Sequence, residues 1–311
     1  MRAIIFNGES AEFIADYPVS QRQANESLIE VQIAALCSTD REILRGYRPD
    51  FKGVLGHEFV GIVRESDTSH LIGQRVVGEI NLSCGTCLYC LSGRANHCSE
   101  RLTLGINHKD GACADFLTLP TELLHVVPDG LPSEIAVFCE PLAAALRITE
   151  QVDFPAGVPV AIVGDGRLAL MICQALAAST SAVLTVIGRH PEKLELFAPW
   201  ATTLTKPQGS YEVVIDASGS PESLALSIAL TRSEGTLVMK STYAGTASID
   251  MSEVVVRELR IQGSRCGPFE PALRLLDEGR VALPPIELYA PEDSDAAFAS
   301  RAFKAAFDFR R

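Results

Sequence analysis

The run VAIVGDGRLALMICQAL, residues 160–176, is the most demanding stretch of this chain. An apolar strand meets Gly164, Gly166 and Ala169 in G-x-G-x-x-A spacing and then becomes a helix. Each small residue answers a separate need: a tight turn at Gly164, close backbone approach to a pyrophosphate at Gly166, and close helix-to-strand packing at Ala169. The free N–H groups at the start of the helix suit phosphate charge. Gly164, Asp165, Gly166, Arg167 and Leu168 are therefore candidate dinucleotide contacts. Around this run lie PVAIVG, AVLTVIG, YEVVIDASG and TLVMKST, near-continuous apolar runs suited to strands buried on both faces. Helical stretches at Arg167 to Ala178, Pro191 to Leu196 and Pro221 to Leu230 separate them. Alternating strands and helices predict a doubly wound α/β domain with a parallel sheet.

The second strand of that domain ends at Gly188, Arg189 and His190, with no Asp or Glu before Glu192. An NAD site would carry an acid there for the ribose 2′-hydroxyl, whereas an arginine suits a 2′-phosphate. The expectation is NADP in preference to NAD, with Gly188, Arg189 and His190 as contacts. Carboxyl ends of parallel strands face the ligand crevice, which adds Ser218, after YEVVIDA, and Lys240, in MKST. Arg265, in GSRCG, is a further basic candidate.

The first 125 or so residues read differently. MRAIIF, SLIEVQIAAL, HEFVGIVRE, QRVVGEI and DFLTLP are short, β-branched and bounded by Gly, Pro or Asp, so this part is expected to be β-rich with long loops. PALRLLDEG is a helix candidate, VVVRELRI a strand candidate, and FKAAFDF a last strand returning to the first domain. With 27 Lys and Arg against 39 Asp and Glu, the net charge is −12, which disfavours nucleic acid and anionic lipid as partners. Neither a membrane span nor a secretion signal is legible, so the expected location is the cytoplasm.

Nine cysteines, an odd number, argue for metal or reactive thiols rather than a disulfide framework. Cys84, Cys87, Cys90 and Cys98 follow C-x2-C-x2-C-x7-C, with Gly85 and Gly93 supplying turns. Four thiolates on one loop close a tetrahedron around Zn²⁺ and leave no open position, so this is read as a structural zinc site. A nucleic-acid-binding zinc ribbon would set two C-x2-C pairs far apart and carry basic residues, neither of which is found here. CSTD at Cys37 and GHEF at His57 and Glu58 supply one thiolate, one imidazole and one carboxylate, a set that leaves a coordination position open for chemistry. Cys113, Cys173 and Cys266 are expected to be small buried hydrophobes. His70, His97, His108, His125 and His190 show no ligand-like spacing.

Taken together and in this order, CSTD, GHEFVG, CGTCLYCLSGRANHC, EPLA and VGDGRLA resemble the zinc-dependent medium-chain dehydrogenase family, which includes alcohol, sorbitol, glucose and threonine dehydrogenases. The resemblance implies a GroES-like β-rich catalytic domain, residues 1–138 and 270–311, interrupted by a Rossmann domain, residues 139–269. By the same resemblance Cys37 and His57 match catalytic zinc ligands, and Glu58 matches the carboxylate at or beside the metal. Glu140, in EPLA, matches the carboxylate ligand of the sorbitol and glucose dehydrogenase branch. Thr39 matches the hydroxyl that accepts the substrate proton, and Asp40 the carboxylate that orients the histidine. Glu42 stands where many relatives carry a proton-relaying histidine.

The implied activity is hydride transfer between NAD(P) and an alcohol or polyol, with two Zn²⁺ per chain, one catalytic and one structural. A homodimer or homotetramer is the implied assembly. Two alternatives accompany it: a threonine- or sugar-dehydrogenase-like enzyme with a more polar or anionic substrate, and a non-catalytic NADP-binding redox sensor.

Overall fold

The strand Glu26–Ala35 alternates in burial over its first eight residues, with Ser27, Ile29, Val31 and Ile33 inward and Glu26, Leu28, Glu30 and Gln32 half-exposed, the period expected of a sheet with one covered face, and then ends in buried Ala34 and Ala35. In the computed structural model, which describes residues 1–242 and 246–310, this strand is the centre of a seven-stranded sheet. Glu58–Ser66 pairs antiparallel with it on one side, with Glu58 opposite Ala35. Lys304–Asp308 pairs antiparallel on the other, with Ala306 also opposite Ala35. The end of the central strand, which leads into Cys37, is thus flanked by segments from residue 58 and from the far end of the sequence.

The chain divides into two compact units, Met1–Glu140 with Leu283–Arg311, and Pro141–Ala282. The first is the expected β-rich unit, and FKAAFDF does return to it as the strand Lys304–Asp308. A small sheet of Asn81–Leu82, Leu102–Leu104 and His108–Lys109 brackets the four-cysteine loop.

The second unit holds a six-stranded, wholly parallel sheet in the order Thr202–Leu204, Val183–Ile187, Pro159–Val163, Tyr211–Asp216, Thr231–Met239, Arg260–Gly263. Pro159–Val163 lies between Val183–Ile187 and Tyr211–Asp216, so the strand order reverses beside it. Open α/β sheets bind ligands outside the carboxyl ends at such a point, and the fingerprint glycines sit there.

Three features differ from the sequence expectation. The second unit extends to Ala282 rather than ending near residue 269. The helix Phe269–Asp277 buries Phe269, Ala272, Leu273, Leu275 and Leu276, and Gln174 grips Ala282 through both its amide nitrogen and oxygen. VVVRELRI is not one strand: Val254–Val256 finish the helix Met251–Val256, and only Arg260 and Ile261 enter the edge strand Arg260–Gly263. Asp250 caps that helix by accepting from the Ser252 amide, which overrides the β-branched run. Among the single cysteines, Cys113 and Cys173 are buried as expected, but Cys266 is half-buried.

Gly56, immediately before His57, has φ +91°, and a Cβ there would lie 2.5 Å from Cys113 Sγ. Gly56→Ala is expected to cost about 2–5 kcal/mol from left-handed strain plus overpacking. Gly46→Ala, at φ +92° with nothing within 4 Å of the added carbon, is expected to cost only the strain, about 1–2 kcal/mol. Urea denaturation of both variants measures the difference; equal losses would refute the packing part.

Candidate functional site

Cys37 leaves the central strand and caps the helix Ser38–Leu44. Asp40, in the first turn of that helix, is fully buried and accepts from the Cys37 amide at 2.7 Å through Oδ2. Its other oxygen accepts from the Gly56 amide at 3.3 Å and stands 3.5 Å from His57 Nδ1. One carboxylate therefore joins the segment carrying Cys37 to the segment carrying His57 and Glu58. Burial alone would raise the Asp40 carboxyl, but the charge and hydrogen bonding of His57 and the Cys37 amide hold it below its ordinary value. Burial alone would likewise lower His57, yet the Asp40 carboxylate and the Cys37 sulfur drive it well above its ordinary value.

Cys37, His57 and Glu58 each offer a ligand atom within 4.8 Å of the others. His57 is 3% exposed and Glu58 0%. His57 Nδ1 and Glu58 Oε1 are buried with no hydrogen bond of good geometry, and the other Glu58 oxygen is met by the Lys304 ammonium as an ion pair. A buried carboxylate oxygen left in this state costs free energy unless something satisfies it, and a cation among a thiolate, an imidazole and a carboxylate does so, while His57 Nδ1 faces Asp40. The donor set fits zinc on chemistry and spacing. Glu140, half-buried at the start of the helix Cys139–Gln151, is not in this group. Thr39 Oγ1 lies 3.7 Å from Cys37 Sγ, and Glu42 is paired with Arg45 at 2.7 Å.

Sequence reasoning missed Lys304. It is 2% exposed, forms an ion pair with Glu58, and places its ammonium 5.8 Å from the centre of the Phe138 ring. A lysine directly before the apolar run Ala305–Phe307 is the signal that could have found it, because a fully buried lysine is rare unless paired.

The four-cysteine loop gathers as its spacing predicts. All four sulfurs lie within 4.8 Å of one another, with Cys87 to Cys90 at 3.5 Å and Cys84 to Cys90 at 4.0 Å. A zinc tetrahedron with bonds of about 2.3 Å has sulfur–sulfur edges of about 3.8 Å, so the set fits the metal. Gly85 and Gly93 turn at φ +73° and +72°. Amide donors pull the Cys87 thiol down to about 5, and burial pushes Cys90 up to about 11. A cluster this tight does not hold four thiolates without a cation.

At the nucleotide fingerprint, Gly164 has φ +126°, and a Cβ there would lie 2.8 Å from Ala217 O. The first and fourth strands of the parallel domain thus converge where only glycine fits. The helix Arg167–Ser179 starts at Gly166 and buries Ala169 completely. Ser218 donates to buried Asp216 from both its amide, 3.0 Å, and its hydroxyl, 2.8 Å. Ser223 and Ser227 donate to the second oxygen of Asp216, which pins the strand end. The Lys240 ammonium donates to Ser264 Oγ at 3.2 Å and to Arg265 O at 2.8 Å, which anchors the segment after the edge strand. At Gly188, Arg189 and His190 the fold brings in Asp165: its Oδ2 accepts from the Arg189 amide at 2.7 Å, the His190 amide at 2.9 Å and His190 Nδ1 at 2.9 Å.

A GroES-like unit with two cysteine-bearing metal sets and a Rossmann unit define a zinc-binding dehydrogenase. Residues 23–129 match the family described as alcohol dehydrogenase GroES-like domain, and residues 192–278 the family described as zinc-binding dehydrogenase. The chain is 30% identical to an L-threonine 3-dehydrogenase from Bacillus licheniformis over 85% of its length and 83% of that protein. It is 28% identical to an erythritol/L-threitol dehydrogenase from Mycolicibacterium smegmatis, covering 93% and 89%. A zinc-binding dehydrogenase from Sinorhizobium meliloti 1021, solved with NADP, superposes with a TM-score of 0.86 at 26% identity, over 99% of this chain and 98% of that one. The chain belongs to the zinc-dependent medium-chain dehydrogenase family, and it is an oxidoreductase of the zinc and NAD(P) class.

Asp40→Asn is expected to weaken zinc binding at the Cys37 set by about 10–100-fold, the usual effect of removing a carboxylate that orients a ligand histidine. Zinc competition against a chromophoric chelator should show this loss at one equivalent while the four-cysteine equivalent is retained. An unchanged affinity would deny Asp40 its positioning role.

Proposed function

We propose that this chain oxidises an alcohol or polyol, and reduces the matching carbonyl, with zinc at Cys37, His57 and Glu58 and a nicotinamide dinucleotide on the fingerprint loop. The observation that carries the reading is the set of half-buried Cys37 with buried His57 and Glu58, tied together by Asp40 and separate from the four-cysteine loop. Two zincs per chain, one in each set, belong to the proposal. Zinc, when bound, supplies a Lewis acid for the substrate oxygen, and the nicotinamide supplies the hydride acceptor.

This chain's own residues do the rest. Thr39 takes the hydroxyl proton, with its Oγ1 beside Cys37 Sγ. Glu42, one helical turn further on, is the next acceptor toward solvent, and Arg45 orients its carboxylate. Asp40 keeps the His57 ring in one orientation. Glu58 and Lys304 neutralise each other inside the core, so the carboxylate remains available at the metal set without an uncompensated buried charge. Glu140 remains a candidate further carboxylate. Two relatives, an L-threonine 3-dehydrogenase and an erythritol/L-threitol dehydrogenase, support a small polyhydroxy or amino alcohol as the substrate in this reading. Homodimer or homotetramer formation accompanies this reading, in keeping with the exposed Met251, Val255 and Val256.

The test is zinc content per chain for wild type and Cys37→Ala, joined to a turnover screen over alcohols, polyols and hydroxy amino acids. Two zincs falling to one, with turnover reduced by about 10³-fold or more as the Lewis acid is lost, is the expected result. A single zinc in wild type, with no turnover of any alcohol, would overturn the proposal in favour of a non-catalytic dinucleotide-binding protein.

A further inference from the structure

We infer that Asp165, the variable residue inside the glycine fingerprint, takes the place of the missing strand-end acid and makes this chain select NAD(H) over NADP(H). The inference rests on the dinucleotide reading of the site and decides which dinucleotide it takes. Gly188 occupies the position where an NAD site carries an acid for the adenosine ribose. A Cβ at Gly188 would lie 2.6 Å from Asp165 Cβ, 2.8 Å from Asp165 Oδ2 and 2.9 Å from Leu194 Cδ2. The space of that absent side chain is therefore filled by the Asp165 side chain, which arrives from the neighbouring loop.

The carboxylate is firmly held there. Its side chain is 12% exposed, and Oδ2 gathers the Arg189 amide, the His190 amide and the His190 ring. These bonds outweigh burial and keep the carboxyl below its ordinary value. The three contacts fall on one oxygen, which offers Oδ1 as acceptor to a ribose hydroxyl.

The same arrangement works against a 2′-phosphate in two ways. The two backbone N–H groups following the second strand, which would otherwise donate to that phosphate, are already engaged by an anion. A phosphate dianion would also stand beside a fixed carboxylate, and like charges so juxtaposed cost several kcal/mol at an interface. Arg189, from which the sequence alone predicts an NADP site, gives its own backbone amide to the Asp165 carboxylate. The sequence pattern lacks an acid at the expected position; the folded chain supplies one from 23 residues earlier, between Gly164 and Gly166.

The experiment is direct binding of NADH and NADPH to the zinc-loaded protein, followed by nicotinamide fluorescence, for wild type, Asp165→Asn and Asp165→Ser, with melting temperatures to verify folding. Wild type is expected to bind NADH at least about tenfold more tightly than NADPH. Asp165→Ser, which frees both amides, is expected to shift that ratio by at least about tenfold toward NADPH, and Arg189→Ala added to it should remove the gain. Asp165→Asn keeps the shape of the side chain and should shift the ratio in the same direction through loss of charge alone. Wild type binding NADPH as tightly as NADH, or a ratio unmoved in folded variants, would overturn the inference while leaving the dehydrogenase reading intact. Binding of neither cofactor would overturn the dinucleotide reading and this inference with it.

Discussion

The site depends first on one buried carboxylate. Asp40 has no solvent exposure and would be costly in the core unless its charge were met on both oxygens. It is met by the Cys37 amide, the Gly56 amide and the His57 ring, and these belong to two segments that the sheet alone would only bring close. The residue that solves its own solvation problem thereby sets the spacing of a thiolate and an imidazole. Gly56 fits the same constraint: its left-handed backbone and lack of a side chain let the chain turn under Cys113 and present His57 inward.

The buried pair of Glu58 and Lys304 applies the same logic at the other flank of the central strand. Register places both on one face of the sheet: Glu58 opposite Ala35, Ala35 opposite Ala306, and Lys304 two residues back along its strand. A fully buried carboxylate needs a compensating charge, and a lysine from the strand Lys304–Asp308 provides it. In the parallel domain, charge is handled through loops. Asp216 collects three serine hydroxyls at one strand end, and Asp165 collects two amides and an imidazole at the loop beside it. Both carboxylates stiffen backbone that a nucleotide would touch.

Much of this was legible in the residues themselves. The strand, glycine turn and helix of the fingerprint are contiguous, and so are the four cysteines, because a tight turn and a metal knuckle are short-range demands on backbone and ligand spacing. Parallel strands announced themselves as apolar runs, and Lys304–Asp308 as a returning strand. The helix at Met251–Val256 was hidden because its valines favour a strand locally while an aspartate cap starts a helix. The boundary near residue 282 was hidden because it depends on what the helix Phe269–Asp277 packs against, not on its own pattern.

The sequence by itself determined the division into a β-rich and an alternating α/β unit, the glycine fingerprint and the four-thiol cluster, the last two because they rest on residue type and short spacing, whereas Cys37, His57 and Glu58 lie in well-separated segments and matched through the family resemblance. Tertiary structure alone decided that Lys304 faces Glu58, that Glu140 stays outside the Cys37 group, and that Asp165 fills the space over Gly188. Those three outcomes join residues 23 to 246 positions apart in the chain, and strand register and loop convergence, which no local pattern encodes, bring them together or hold them apart.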